Sequence, residues 1–492
     1  MKNQSLLGGL LFVIVMATFA PPRASAQQPY HQKLDCFSVV AGKKATKDGS
    51  VIFAHNEDTG PNGVNYYKVP RKKHEPSEMI SLRNGGKLPQ ISETYGYLWF
   101  NIPGCDVCDS YLNEFGVAIG SDGCPSREDK PSLENGGIVF WLRRIVAERS
   151  TTAREGVKLA GKLIEEVGYA SSGRSYIIAD PNEAWVLTAV NGKHWVAKRV
   201  PDNEVAVIAN CYTMQGIDLS DSSNFLGSAD VITYASSRGW YNASKDGAFN
   251  FAKAYSNPGS LDHPGNTHRM WRGIEMISGK PYDVNKQLPF SIVPKHKLSI
   301  QDIMSVLRDH YEGTKFDESA NYTKGNPHKV NNATICADGT QYSIVSQLRS
   351  WLPIEIAPVA WVAPFHPDVQ TYIPFYPCIT SIPEIYADGD FATGLRKQFD
   401  PLSSRTKAPA YLKFVSLNNK VDQHFAVNFS IAQKLMKKQE AKIFKEQHQF
   451  EKKAITILKQ NKQSGVQFIT AQTLAQAKEA NERVDQLIAE LN

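Results

Sequence analysis

A hairpin-like segment that opens on a cysteine constrains this 492-residue chain most. Residues 37–42 and 51–54 are two β-rich runs, and an Asp-Gly turn signal lies between them. An antiparallel pair of strands brings its far end back beside its start. We therefore expect His55 and Asp58 to lie close to Cys36, so that an imidazole, a carboxyl group and a thiol meet at one corner.

The first residues have the features of a secretory leader. Lys2 gives a positive start, residues 6–20 are apolar, and Ala24-Ser25-Ala26 forms a small-residue cleavage site. The apolar run is shorter than the roughly 20 residues that a spanning helix needs, and an uncleaved membrane anchor is the alternative. We therefore predict a signal peptide over residues 1–26 and an exported protein, periplasmic or extracellular, with no membrane in its mature form.

A second cut, between Asp35 and Cys36, would place a thiol and a free α-amine on one residue. An α-amine titrates near ~8 and a thiol near ~8.5, so the amine can take the thiol proton at neutral pH. An N-terminal amine activates threonine nucleophiles in the same way. We therefore predict a propeptide over residues 27–35 and a nucleophile at Cys36.

The composition indicates a globular protein that does not bind nucleic acid. Hydrophobic residues make up 42% of the chain and charged residues 21%, which fits a full core. The formal net charge of +6 is small for this length. Nucleic-acid partners are therefore not expected.

Seven cysteines are present, at positions 36, 105, 108, 124, 211, 336 and 378. Export permits disulfides, and an odd number leaves at least one thiol unpaired. With Cys36 as the free one, six remain to pair, and we expect one or two disulfides local to residues 105–124. Three metal ligands at Cys105, Cys108 and Cys124 are the alternative, but a structural zinc site takes four. We therefore predict no metal and no other cofactor.

Strand and helix patterns along the chain predict a layered α+β domain. Strand patterns cover residues 95–100, 117–119, 176–180, 184–187, 205–209, 334–346 and 357–363, and helical patterns cover 138–147, 153–166, 228–236, 269–277 and 301–312. Helical, charge-rich segments follow at 430–460 and 470–491, and their apolar stripes predict packing on the body. We predict a catalytic domain over 36–425 and a C-terminal helical region over 426–492.

The block from Cys36 to Asp58 resembles the start of the mature chain in the dipeptidase A-like cysteine peptidases, which are N-terminal nucleophile (Ntn) hydrolases. Further segments that look like this family lie at residues 307–314, 347–349, 360–363 and 372–376. The resemblance implies a four-layer αββα sandwich, with two stacked sheets between helix layers. It also implies hydrolysis of the peptide bond of dipeptides through an acyl-enzyme on an N-terminal cysteine.

By position, the resemblance implies four catalytic residues and a fifth in the substrate-binding site. Cys36 is the nucleophile, Asp58 the acidic partner of its amine, and Asn210 the donor to the oxyanion. Arg269 matches a site arginine. His55 lies where the wider superfamily more often has arginine, so its position is expected in the site while its role is left open.

Two other functions remain open from the sequence. The first is an Ntn acylase that cleaves N-acyl amides, bile-salt-like or penicillin-like. Those acylases carry a second asparagine near Ser121-Asp122, which this chain lacks, and segment 307–314 favours the dipeptidase branch. The second is a non-catalytic exported binding protein with Cys36 in a disulfide. A papain-like protease is disfavoured because no cysteine lies in a Cys-Gly-x-Cys-Trp pattern. The expected partners are dipeptides or short peptides. The sequence leaves the oligomeric state open, with a homo-oligomer as one alternative, since related enzymes often assemble.

Overall fold

Two antiparallel sheets form the centre of the fold in the computed structural model, which describes residues 36–58, 63–82, 85–102, 110–320, 322–330, 332–387 and 409–491. Strands and helices are numbered along the chain. In spatial order, the first sheet contains β16 (Ser291–Ile292), β14 (Val205–Ile208), β1 (Phe37–Ala41), β2 (Val51–Glu57), β17 (Tyr342–Leu348), β18 (Pro358–Pro364) and β19 (Ile373–Phe375).

The second sheet has eight strands. In spatial order they are β15 (Phe225–Gly227), β13 (Trp195–Arg199), β12 (Ala184–Gly192), β11 (Tyr169–Ala179), β10 (Ala118–Gly123), β9 (Tyr111–Asn113), β8 (Tyr97–Asn101) and β3 (Asn65–Val69). Two small pairs complete the strands: β4 (Lys72–Lys73) with β7 (Glu93–Thr94), and β5 (Met79–Ser81) with β6 (Lys87–Pro89).

The helices differ widely in length. They are α1 (Trp141–Arg149), α2 (Ala153–Val167), α3 (Val231–Ser237), α4 (Ala243–Asp246), α5 (Phe251–Tyr255), α6 (Pro258–Leu261), α7 (Pro264–Ser278), α8 (Ile300–Leu307), α9 (Pro409–Gln423), α10 (Phe425–Gln460) and α11 (Lys462–Glu490). Short 3₁₀ helices cover Pro327–Lys329 and Glu384–Tyr386. Among the helices of the described residues, none combines the length and apolar character that crossing a membrane requires.

The two sheets pack face to face, and a glycine allows their close approach. A Cβ atom on Gly120 of β10 would lie 2.4 Å from the Phe53 ring of β2. Ala118 and Ile177 of the second sheet belong to the same buried cluster as Phe53 and Val40. Since side chains alternate along a strand, the neighbouring residues of the second sheet face the opposite side.

Helices cover the outer face of each sheet. Ile119 and Ile178 of the second sheet pack with residues of α1 and α2 in a separate buried cluster. On the first sheet, α7 lies so close that a Cβ on Gly273 would lie 3.0 Å from side-chain atoms of Phe37 and Val207. The layers therefore follow the order helix, sheet, sheet, helix, and the predicted α+β, four-layer αββα sandwich is confirmed.

The long C-terminal helices pack against the first-sheet side of the body. The rings of Phe444 in α10 and Trp361 in β18 have centroids 4.8 Å apart. Arg349 forms an ion pair with Glu451 of α10, with Nη1 and Oε1 2.8 Å apart. The described residues of both parts belong to one compact unit. The boundary between residues 425 and 426 stays a prediction.

The predicted helix over 301–312 is wrong at its C-terminal end. Helix α8 stops at Leu307, and the residues after it turn away from helical geometry. Asp309 accepts a hydrogen bond from the backbone N–H of Tyr311, whose φ of 69° is left-handed. The strand predicted over 334–346 likewise begins only at Tyr342. Both differences fall on loops in which polar side chains converge on a buried cluster.

Candidate active site

Cys36 lies at the head of β1, in the layer between the two sheets. Its side chain is buried, with 5% exposed. The predicted hairpin is confirmed: β1 and β2 pair antiparallel, with Phe37 opposite Asn56. One step further along this register brings Glu57 opposite Cys36. On the other side, β1 pairs with β14, and the continued register brings Asn210 opposite Cys36.

Arg269 of α7 ties these two residues together. Its Nη1 donates to the carbonyl oxygen of Cys36 at 2.9 Å, and its Nη2 donates to Asn210 Oδ1 at 2.9 Å. Because Oδ1 is engaged, the amide nitrogen Nδ2 of Asn210 has a fixed direction. That nitrogen is buried and has no hydrogen-bond partner among the described residues. A buried donor of this kind is suited to bind a developing negative charge.

His55 forms a buried network with Ser38 and two carboxyl groups. Ser38 donates its hydroxyl proton to Asp122 at 2.7 Å, and His55 Nδ1 lies 2.9 Å from the same hydroxyl. His55 Nε2 lies 3.3 Å from Glu57 Oε2. The ligand atoms of Cys36, His55 and Glu57 lie within 4.8 Å of one another. His55 is thus in the site that the sequence predicted, fully buried and held by protein groups on both ring nitrogens.

The thiol of Cys36 lies in an unfavourable electrostatic environment for ionisation. Burial raises the pKa of this thiol well above its ordinary value, and the charges of Glu57, Asp58 and Asp122 raise it further. A hydrogen bond with the backbone of Asp58 acts in the opposite direction. Burial and the neighbouring carboxylates therefore favour the protonated thiol in this structure.

Asp58 follows the last residue of β2 and is 4% exposed. Its backbone contact with the Cys36 thiol shows that the hairpin brings the two residues together, as the sequence predicted. The structure thus gathers all five predicted site residues at one corner: Cys36, His55, Asp58, Asn210 and Arg269. Their catalytic and binding roles stay predictions.

Sequence reasoning missed Asp122 as a site residue. Asp122 lies on β10 of the second sheet and is completely buried. Burial raises its pKa to about 6, while His55, Ser38, Arg174 and Arg269 act to lower it. The sequence contains one signal for this position, because related acylases carry an asparagine near Ser121-Asp122. That comparison indicates only that this chain lacks the asparagine, and it does not point to Asp122 itself.

The predicted disulfides are wrong for the described cysteines. Cys36, Cys124, Cys211, Cys336 and Cys378 are all free. The thiol of Cys124 donates instead to the Asp122 carbonyl at 3.3 Å, so Cys124 joins no bridge. The pairing of six cysteines was inferred from export alone, whereas these thiols are buried one by one among separate core elements. Residues 105 and 108, with the signal peptide and propeptide over 1–35, lie outside the described residues.

A cavity of about 390 Å³ borders this corner. Cys211 and Met270, which follow Asn210 and Arg269 in the chain, contribute to its wall. Lys253 and Asp262 place one positive and one negative side chain on the same wall. The five predicted site residues do not themselves line this cavity.

A buried thiol at the head of an inner strand lies beside a buried amide donor without a partner among the described residues, which is the geometry that the predicted cysteine hydrolase requires. The family model described as "Peptidase family C69" matches residues 129–424, which is more than half of the chain. The protein belongs to peptidase family C69. The predicted resemblance to dipeptidase A-like cysteine peptidases and the predicted enzyme class are confirmed. The match includes Asn210 and Arg269, while Cys36 and Asp58 precede it.

Curated relatives match most of the chain at modest identity. A "Probable dipeptidase" of Latilactobacillus sakei is 28% identical over 367 residues, which cover 72% of this chain and 76% of the relative. A "Probable dipeptidase" of Salmonella dublin is 28% identical, covering 69% and 80%. A "Dipeptidase" of Bifidobacterium longum is 27% identical, covering 72% and 73%.

Two solved structures are similar more loosely. Penicillin V acylase from Agrobacterium tumefaciens has a TM-score of 0.35 and 14% identity, and covers 69% of this chain and 86% of its own. A variant of conjugated bile acid hydrolase from Clostridium perfringens has a TM-score of 0.35 and 13% identity, covering 69% and 92%. Superpositions this loose transfer no residue roles.

Proposed function

We propose that this protein is an exported dipeptidase that acts through an acyl-enzyme on Cys36, after a cut before that residue frees its α-amine. Relatives described as dipeptidases support the substrate class. The small-residue cleavage site at Ala24-Ser25-Ala26 supports export. The thiol at the head of β1, with Asn210 and Arg269 beside it, supports the mechanism.

The observation that carries the mechanism is the unpaired amide Nδ2 of Asn210 next to Cys36. The Cys36 thiolate attacks the peptide carbonyl carbon, and Nδ2 donates to the oxyanion that forms. The α-amine of Cys36 gives a proton to the leaving amine, which departs. The same amine then takes a proton from water, which attacks the thioester and releases the acyl group. Arg269 positions Asn210 throughout, because it holds Oδ1.

Processing also explains how a thiol with a raised pKa becomes reactive. Glu57, Asp58 and Asp122 place negative charge around Cys36, and this charge opposes the thiolate. A new α-ammonium group at the same residue adds a positive charge there and stabilises the thiolate. The cut before Cys36 is therefore a switch, which keeps the precursor inactive and activates the mature chain.

The test combines intact mass, N-terminal sequencing and hydrolysis. The secreted native protein should begin at Cys36 and cleave dipeptides, and Cys36→Ala should not cleave them. Cys378→Ser is the matched control, because that half-buried thiol lies outside the site and its loss should change neither result. A fully active mature chain that begins at Gln27 would contradict the proposal.

A substrate panel tests the dipeptide assignment separately from the mechanism. Dipeptides and N-acyl amides of the bile-salt and penicillin types are given to the same mature protein. Cleavage of dipeptides is the expected result. Turnover of the N-acyl amides alone, still lost in Cys36→Ala, would retain the nucleophile and overturn the substrate class.

A further inference from the structure

We propose that this protein holds one structural zinc ion in a buried four-residue cluster, formed by His310, His328, Cys336 and Asp368 and called here the His-Cys-Asp cluster. All four side chains are buried, and their ligand atoms lie within 4.8 Å of one another. The name reactive corner is used here for Cys36, His55, Asp58, Asn210 and Arg269. The loops that form the cluster contain none of these five residues. The proposal goes beyond the hydrolytic function and leaves its mechanism unchanged.

Four of the six ligand-atom distances within the cluster lie close to the edges of a zinc tetrahedron. The Nε2 atoms of His310 and His328 lie 3.2 Å apart, and the Sγ of Cys336 lies 3.7 Å from His328 Nε2. Asp368 Oδ2 lies 3.4 Å from His328 Nε2 and 3.6 Å from His310 Nε2. Zinc–nitrogen bonds of about 2.0–2.1 Å and zinc–sulfur bonds of about 2.3 Å give tetrahedral edges of about 3.3 Å and 3.6 Å.

A carboxylate outside the cluster lies beside each histidine. Glu312 Oε1 lies 3.1 Å from His310 Nδ1, within hydrogen-bond distance, and Asp422 Oδ1 lies 3.5 Å from His328 Nδ1. A carboxylate that accepts a proton from one ring nitrogen leaves the lone pair of the other for a metal. Glu312 does this for His310, whereas His328 Nδ1 forms no hydrogen bond with the described residues, so zinc would itself fix the tautomer of that ring.

The charges within the cluster call for a cation. Both oxygens of Asp368 are completely buried and form no well-aligned hydrogen bond with the described residues, although Oδ2 lies 3.4 Å from His328 Nε2. A buried carboxylate without a well-formed hydrogen bond is costly, and two facing imidazole nitrogens need a proton or a metal between them. Zinc binding replaces the thiol proton of Cys336, which goes to solvent. The charge of the ion is then balanced by one thiolate and one carboxylate, with both imidazoles neutral.

The donor set selects zinc and a structural role. Magnesium and calcium prefer oxygen ligands, whereas a thiolate with two imidazoles suits zinc. Four protein ligands complete a tetrahedron and leave no open position for water or substrate, which is the arrangement of a structural site. The complete burial of all four side chains agrees with this role.

The ion would cross-link four segments that have little regular structure. His310 lies after α8, His328 in the 3₁₀ helix Pro327–Lys329, Cys336 before β17 and Asp368 after β18. Helix α10 covers the cluster, with Phe429 stacking edge-on to His310 at 6.3 Å between centroids. Bonds to zinc would therefore hold these four segments together, as backbone hydrogen bonds hold the strands and helices elsewhere.

Metal analysis of the purified full-length secreted protein tests this proposal. Native protein isolated without chelators should contain about one zinc per chain. His328→Gln and Cys336→Ser should lose that zinc, whereas the control Cys378→Ser should retain it. Full zinc occupancy in either cluster variant would overturn the proposal, as would native protein that contains no zinc and takes none up from added zinc chloride.

Cobalt exchange of the native chain keeps the test informative if the cluster variants fail to fold. Zinc is removed with a chelator, and cobalt(II) chloride is added. Tetrahedral cobalt with a thiolate ligand should give a near-ultraviolet charge-transfer band and intense visible bands, which added zinc abolishes. The Cys36→Ala protein should show the same spectrum. Cobalt spectra without thiolate character, or a thiolate band lost only in Cys36→Ala, would overturn the assignment.

Discussion

Two buried groups of cysteine, histidine and carboxylate lie in this molecule, and they use the histidine rings differently. At the reactive corner, both ring nitrogens of His55 face protein groups, Ser38 at 2.9 Å and Glu57 at 3.3 Å. In the His-Cys-Asp cluster, each Nδ1 faces a carboxylate while the two Nε2 atoms converge at 3.2 Å. Residue type and burial are alike in the two places.

The difference shows what separates a reactive thiol from a metal ligand in one fold. At the corner, both ring nitrogens of His55 already face polar groups of the protein, and Cys36 lies where the proposed new chain start supplies its base. In the cluster, the ligand atoms of three other side chains converge beside the Cys336 thiol. The nitrogen of Cys336 is part of a peptide bond and supplies no free amine. The direction of each imidazole nitrogen, rather than the list of side chains, therefore indicates the chemistry.

Replacing each of the two cysteines in turn tests the comparison, and this test carries the largest expected effect. Cys36→Ala should lower dipeptide hydrolysis at least about 10⁴-fold, because removal of a nucleophile costs that much or more. Its zinc content and Tm should remain those of the native protein. Cys336→Ser should lose zinc and lower the Tm by about 5 °C or more. Calorimetry measures the Tm, and a hydrolysis assay measures the activity. A Cys336→Ser protein that retains zinc but loses hydrolysis would contradict the assignment of one cysteine to reaction and the other to metal binding.

The ion pair beside the cluster provides the second test. Arg308, next to the cluster loops, contacts Glu440 of α10 with Nη1 and Oε2 3.1 Å apart, and both side chains are mostly buried. Glu440→Ala leaves the guanidinium without its carboxylate and should lower the free energy of unfolding by about 3 kcal/mol. Urea denaturation measures it. Glu482→Ala breaks an exposed pair with Lys478 and should cost under about 0.5 kcal/mol; equal losses would remove the distinction.

Asn210→Ala sharpens the reactive side of the comparison. Loss of the amide donor should lower kcat about 10²–10³-fold, with a smaller change in KM, because the donor acts on the oxyanion. Steady-state kinetics on a dipeptide measure both constants. The exposed Asn224→Ala serves as the control and should leave both unchanged. A rise in KM with kcat preserved would instead assign Asn210 to ground-state binding.

The last test is a pH dependence of stability that comes from Asp122 at the corner. Burial raises the pKa of Asp122 to about 6 from its ordinary value of 3.8. Between these values the folded state holds a proton that the unfolded state has lost, so stability falls as the pH rises through this range. Relative to the native protein, Asp122→Asn should therefore gain up to about 3 kcal/mol between pH ~4 and ~6.5. Urea melts across this range measure the gain, and a difference independent of pH would contradict the placement.

Local pattern was sufficient for the hairpin, because alternation and a turn signal alone dictate that Cys36 and Asp58 meet. Asn210 and Arg269 required the resemblance, since no local rule links residues on β14 and α7 to Cys36. Asp122 was missed because its contact crosses from one sheet to the other. The His-Cys-Asp cluster was missed because its ligands are scattered over four segments, and because periodicity extended α8 through His310, where side-chain contacts override helix propensity.

One carboxamide links the two regions. Asn56, between His55 and Glu57 on β2, donates from Nδ2 to the carbonyl oxygens of Leu307 and Ile335, each at 2.9 Å. The first carbonyl ends the helix before His310, and the second precedes Cys336. Two hydrogen bonds therefore tie those loops to the strand that ends beside Asp58. The rigidity of the hairpin formed by β1 and β2 thus depends in part on the loops that contain Leu307 and Ile335.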